Sequence, residues 1–123
     1  MYKTGVIRQL NARHFLRGAF GPESEPHTHP YRVEWVRRCG ELDENGFATD
    51  IAAMERTLET LLGSLDDRLL NEIPFFSERQ PSLENLARYL AERLEEELPQ
   101  PSARSEIKIW ESDTAWASYE CEP

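Results

Sequence analysis

Sulfur is scarce in this 123-residue chain, whose two cysteines, Cys39 and Cys121, lie far apart and in no C-x-x-C arrangement. That excludes a disulfide framework and a cysteine-rich metal site, and reads both as incidental thiols of a reducing compartment. No apolar run approaches the ~20 residues of a membrane-spanning helix. The opening Met1-Tyr2-Lys3-Thr4-Gly5 also lacks the apolar core of a secretion signal. The expectation is a cytoplasmic protein with no membrane partner. Positive charge is short as well, with 14 basic against 23 acidic residues and a formal net charge of -9. Such a chain repels a phosphate backbone overall, which argues against a nucleic-acid partner. Much of the acid, notably Glu92 and Glu95-Glu96-Glu97, reads as a solvated helix face.

What remains fits one compact domain spanning 1–123, because 39% hydrophobic residues at this length can form a single core without staples. Histidine is the least evenly spread residue. All three, His14, His27 and His29, fall within the first 29 positions. An H-x-H on a strand puts both imidazoles on one face, about 7 Å apart along the backbone. A third histidine on an adjoining strand completes a three-nitrogen zinc site whose fourth position is open for chemistry.

Periodicity supports that placement. Over residues 4–17, Val6, Leu10, Ala12, His14 and Leu16 share one parity of a strand, so His14 points with the apolar residues. Residues 18–26 are turn-rich and predict an exposed loop. From 27 to about 38, His27, His29, Tyr31, Val33 and Trp35 share a face, with Pro30 suited to an edge or a strand start. Asn45-Gly46 marks a turn. Ile51, Met54, Leu58, Leu61, Leu62 and Leu65 then fall on one helical face behind Asp50, a natural N-cap. Residues 66–81 read as irregular. Leu83, Leu86, Ala87, Leu90 and Leu94 mark a second helix, introduced by Pro81-Ser82 and stopped by Pro99. Ile107, Ile109 and Glu111 alternate out of a further strand, and Trp116 to Cys121 is a candidate for another. Strands, helix, helix, strands make an α+β domain.

Along nearly its whole length the sequence resembles the 6-pyruvoyl-tetrahydropterin synthase family, which includes 6-carboxy-tetrahydropterin synthases. The resembling stretches keep the family's order. They are Ala12-Arg13-His14-Phe15, His27-Thr28-His29-Pro30-Tyr31, Gly46-Phe47-Ala48-Thr49-Asp50, Leu65-Asp66-Asp67-Arg68-Leu69-Leu70-Asn71, Pro81-Ser82-Leu83-Glu84-Asn85-Leu86-Ala87 and Ile109-Trp110-Glu111-Ser112. The resemblance implies a tunnelling fold, a four-stranded antiparallel sheet with two helices on one face. Subunits of such proteins join their sheets into an oligomeric barrel, so a homo-oligomer, a hexamer foremost, is expected. It further implies zinc held by His14, His27 and His29, and a pterin bound through Glu111 and Ser82. A carboxylate such as Glu111 suits the pterin's guanidine-like edge, since it accepts two parallel N–H donors.

Two departures bear on the chemistry. The family's proton-abstracting cysteine before the H-x-H is absent from Gly21 to Pro26, and Cys39 is too far along the strand from His29, roughly 33 Å in extended chain. The family's Asp-His pair is broken as well, because Asp67 follows Asp66 where the histidine belongs. One reading keeps a lyase acting on a dihydroneopterin-type pterin, with Glu23 or Glu25 replacing the thiolate and Asp66 and Asp67 as further catalytic carboxylates; some relatives carry a glutamate near that loop position. A carboxylate with a raised pKa abstracts protons near neutral pH. The alternative keeps zinc and pterin binding without the family's synthase activity. Arg8, Arg13 and Arg17 are candidate phosphate contacts, with an ordinary surface arginine the favoured reading of each. A cupin-like metal motif through Glu34 fails on parity, since Glu34 is an odd number of residues from His29 and faces away.

Overall fold

A computed structural model describes residues 1–122. Its strands are β1 (Tyr2–His14), β2 (His27–Cys39), β3 (Ala103–Trp110) and β4 (Trp116–Glu120), and its helices are α1 (Ile51–Leu65) and α2 (Leu83–Glu97). The strands form one antiparallel sheet in the order β1-β2-β3-β4, so each pairs with its neighbour in sequence. Both helices cover one face, α1 packing mainly on β1 and α2 on β3 and β4. The fold class expected from the sequence is the one observed.

Alternation along the strands decides which face is covered. Val6, Leu10 and Ala12 on β1, Tyr31, Val33 and Trp35 on β2, and Ile107 and Ile109 on β3 are all buried on the helix side. The helices answer with Met54, Leu58, Leu61, Leu62 and Leu65 on α1 and Leu86, Ala87, Leu90, Ala91 and Leu94 on α2. Each large apolar side chain so buried contributes about 1.5–3 kcal/mol. The caps are those the sequence indicates: the Asp50 carboxylate accepts from the Ala53 amide at 3.0 Å, and the Ser82 hydroxyl from the Asn85 amide at 3.2 Å. Each satisfies one otherwise orphaned donor of a first helical turn.

Three details differ from the sequence reading. Ile51 is 46% exposed; it lies in the first turn of α1 and faces a groove shared with Leu42 and Phe47 in place of a strand. β1 ends at His14, short of Leu16, because His14 stands opposite His27, the first residue of β2, and the ladder ends there; the Leu16 amide bonds the Glu23 carbonyl of the following loop at 2.7 Å instead. Side-chain amides take over there. Asn71 bonds both the N–H and the carbonyl of Phe15 at 3.0 Å, and Gln80 does the same for Arg17 at 2.9 and 2.7 Å. The stretch between the helices also contains two short 3-10 turns, Leu70–Glu72 and Pro74–Phe76. Pro30, although on an inner strand, lies beyond the end of the β3 pairing at Arg32, where a missing N–H costs no ladder bond to that neighbour.

Candidate metal centre

The register of one hairpin builds the site. His14 lies directly across from His27, and Ala12 from His29, so the histidines form a cross-strand pair plus its nearest diagonal on the helix-facing side. Ring centroids are 4.5 Å apart for His14 and His27, 5.1 Å for His14 and His29, and 4.7 Å for His27 and His29. The Nε2 atoms of His14 and His27 approach to 2.9 Å.

That short distance has a chemical consequence. The Nδ1 of His14 lies 2.8 Å from the Pro81 carbonyl, and the Nδ1 of His27 lies 2.7 Å from the Glu25 carbonyl. A carbonyl only accepts, so each Nδ1 carries a proton, and in its neutral form each ring presents a bare lone pair at Nε2. Two lone pairs at that separation repel unless a cation lies between them. This is the arrangement of metal-binding histidines, whose second nitrogen donates to a carbonyl and so fixes the tautomer. His29 is positioned differently, by stacking on Tyr31 with centroids 5.5 Å apart. Burial, reinforced by His27 and His29, pushes His14 below its ordinary value and favours the neutral ligand form, although its bond to Pro81 opposes this.

A carboxylate completes the cluster. Glu23 lies in a 3-10 turn spanning Gly21–Ser24, and its Oε2 reaches to 3.2 Å from the His27 Nε2. One ligand atom from each of His14, Glu23, His27 and His29 falls within 4.8 Å of all the others. Neutral imidazole nitrogens with one carboxylate are a donor set suited to zinc. The residues present fit that ion.

Of the other site candidates, Glu25 contributes its carbonyl to the cluster and leaves its side chain exposed. Glu111 follows β3 directly, and the Arg32–Trp110 register extended by one step sets it opposite Tyr31. Burial, and next the charge of Glu111, raises the Tyr31 phenol above its ordinary value, which places that carboxylate at the same end of the sheet as the histidines. The Ser82 hydroxyl is engaged as the α2 cap. Asp66 and Asp67 are exposed at the end of α1 and do not join the cluster. Asp67 adopts a left-handed φ of 58°, and its amide bonds the Asn11 carbonyl on the outer edge of β1 at 2.7 Å. Arg8 is paired with Glu55 and Glu59, and Arg17 donates to the carbonyls of Arg79 and Phe76. Glu34 lies on the far face against Trp110. Sequence reasoning missed Asn71, Gln80 and the Pro81 carbonyl; Asn71 and Pro81 lie within the resembling segments, whereas Gln80 lies just outside them. It also gave Tyr31 no role, though Tyr31 shares the histidines' parity and its hydroxyl lies 3.3 Å from the His14 Nδ1.

The sheet and its helices are shared with known proteins. A solved structure of Caenorhabditis elegans 6-pyruvoyl tetrahydropterin synthase superposes with a TM-score of 0.87 at 24% identity, covering 98% of this chain and 96% of that one. A Plasmodium vivax 6-pyruvoyltetrahydropterin synthase in which a catalytic glutamate is replaced by alanine superposes with a TM-score of 0.77 at 16% identity, over 100% of both chains. These likenesses define the architecture as that of the tunnelling fold. In sequence, residues 4–122 match the family described as 6-pyruvoyl tetrahydropterin synthase, and the chain belongs to that family. A curated relative, the dihydroneopterin monophosphate aldolase of Pyrococcus furiosus, is 28% identical over 89 residues, which are 72% of this chain and 73% of that protein.

Proposed function

We propose that the protein is a zinc-dependent lyase acting on a dihydroneopterin-type pterin, with Glu23 as the base in place of a thiolate. The observation that carries this reading is the Glu23 carboxylate at 3.2 Å from the His27 Nε2, the one loop carboxylate brought into the cluster. His14, His27 and His29 would hold the zinc, which when bound polarises a substrate hydroxyl or carbonyl. Glu23 would take the carbon-bound proton, and Glu111 would accept the N–H donors of the pterin edge. Support for a carboxylate base comes from the Plasmodium relative, in which a glutamate is a catalytic residue. Support for carbon–carbon cleavage as well as elimination comes from the Pyrococcus aldolase. Asp66 and Asp67, at the outer edge of β1, would act only in a neighbouring subunit's site. The open outer edge of β1 before Asn11 and that of β4 are what barrel closure between subunits would cover, and a hexamer is the proposed assembly. Among the described residues no helix is long and apolar enough to cross a membrane.

Incubation of the zinc-loaded protein with dihydroneopterin triphosphate and with the monophosphate, followed by mass spectrometry of the products, tests the reading. Turnover that collapses in Glu23→Gln is expected. Pterin binding with no turnover on either substrate would establish the alternative, a binding protein without the family's synthase activity.

A further inference from the structure

The loop that carries Glu23 holds its backbone from several sides. The Leu16 amide donates to the Glu23 carbonyl at 2.7 Å, and the Glu23 amide to the Phe20 carbonyl at 3.3 Å. The Ser24 hydroxyl donates to the Gly18 carbonyl at 2.7 Å and accepts from the Phe20 amide at 3.0 Å. Gly21, with φ of 63°, supplies the left-handed residue that turns the chain into the 3-10 segment. These bonds are internal to the loop and its junction with β1, so they aim Glu23 without any help from a bound molecule.

We propose that Glu23 is a fourth ligand of the metal in the pterin-free protein, closing a shell of three histidines and one carboxylate. This rests on zinc occupying the three-histidine site, as proposed above. Four ligands at zinc distances of about 2.0–2.1 Å stand about 3.3 Å from one another in a tetrahedron. The observed separations are 2.9 Å for His14 to His27 and 3.2 Å for His27 to Glu23, already close to that figure. Glu25, two residues on, supplies only its backbone carbonyl to the His27 ring, and its carboxylate is not among the clustered ligand atoms.

Closure has a consequence for the reaction. A three-histidine site leaves a position for substrate, whereas the closed shell leaves none until Glu23 moves away. A pterin side-chain hydroxyl must therefore displace Glu23, and the displaced carboxylate is then free beside the substrate to accept a proton. Glu23 thus has two successive roles, and the second begins when the first ends. As Glu23 is about half exposed, it has room to make that movement.

Cobalt(II), a spectroscopic stand-in for zinc, and zinc competition against a chromophoric chelator test the proposal on metal-free protein at neutral pH. Glu23→Ala and Glu23→Gln should weaken zinc at least about tenfold, the lower bound for losing even a group that only supports a ligand. Both should alter the visible cobalt spectrum, while Glu25→Gln changes neither affinity nor spectrum. Circular dichroism of the metal-free variants verifies that the fold is kept. One bound metal with equal affinity and an unchanged spectrum in both Glu23 variants would overturn the fourth ligand and leave the three-histidine site standing. A wild type that binds no metal would refute the site itself, and this proposal with it.

Discussion

The two ends of β2 both place polar side chains on the buried face of the sheet, and they resolve the cost in opposite ways. At one end Arg37 is 1% exposed. Its Nε donates to the Ser105 hydroxyl at 3.2 Å, one terminal nitrogen to the Gln100 side chain at 3.4 Å, and the other to the Leu98 carbonyl. It stacks over Trp35 with its guanidinium carbon 4.7 Å from the ring, and Glu95 at 3.9 Å supplies charge. Every nitrogen of that guanidinium has a partner. At the other end His14, His27 and Glu23 converge, and while the imidazoles are neutral with their Nδ1 protons on backbone carbonyls none of the three offers the others a donor. Buried polarity by itself therefore says little about function. Convergence of groups that cannot satisfy one another says much more.

Breaking the comparison from the histidine side should give the largest effect. Glu23→Gln should lower turnover by about 10²–10⁴-fold, the ordinary contribution of a positioned base, with Glu25→Gln close to wild type. A steady-state assay of both variants checks this, and equal losses would mean that the loop's overall charge matters more than the position of Glu23. From the other side, Arg37→Ala should cost about 3–5 kcal/mol of folding stability by denaturant titration, because its partners are left buried and unpaired. Metal content should be unchanged, since the two ends share no contact. A smaller effect is expected at Ser82, where Ser82→Ala should lose about 1 kcal/mol through the missing cap. Weakened pterin affinity in the same variant would add the substrate role the family resemblance implies; unchanged affinity would leave only the cap.

The smallest effect is a pH dependence of the metal-free protein. Burial chiefly, then the neighbouring imidazoles, hold His14 below its ordinary value of 6.5. Between that lowered value and 6.5 the unfolded chain binds more protons than the folded one, so stability rises with pH across this window. The stability is present above the unfolded value and lost as pH falls through the folded one. Thermal melts of metal-free protein from pH 5 to 7, on the order of the histidine range, should show the slope, and His14→Asn should flatten it.

Much of this was legible from residue order. Strict alternation on β1 and β2 gave the histidines a shared face, and the stripes from Met54 to Leu65 and from Leu86 to Leu94 gave both helices with their caps. What sequence could not decide was the choice between Glu23 and Glu25. Parity does not apply in a loop, and a single 3-10 turn brings one of these carboxylates to the histidines and leaves the other outside the cluster. Nor could it show Asn71 and Gln80 continuing the sheet beyond β1, because a side-chain amide imitating a strand partner leaves no periodic trace. Arg37 falls on the apolar parity of β2, yet only three-dimensional neighbours such as Ser105 and Leu98 explain how it is tolerated there.

The account depends above all on a metal held where the imidazoles meet. Elemental analysis of purified wild type and of a His27→Ala/His29→Ala variant tests it most directly. The account predicts about one zinc per subunit in the first and essentially none in the second, with the fold retained by circular dichroism. Equal zinc in the two proteins would contradict it.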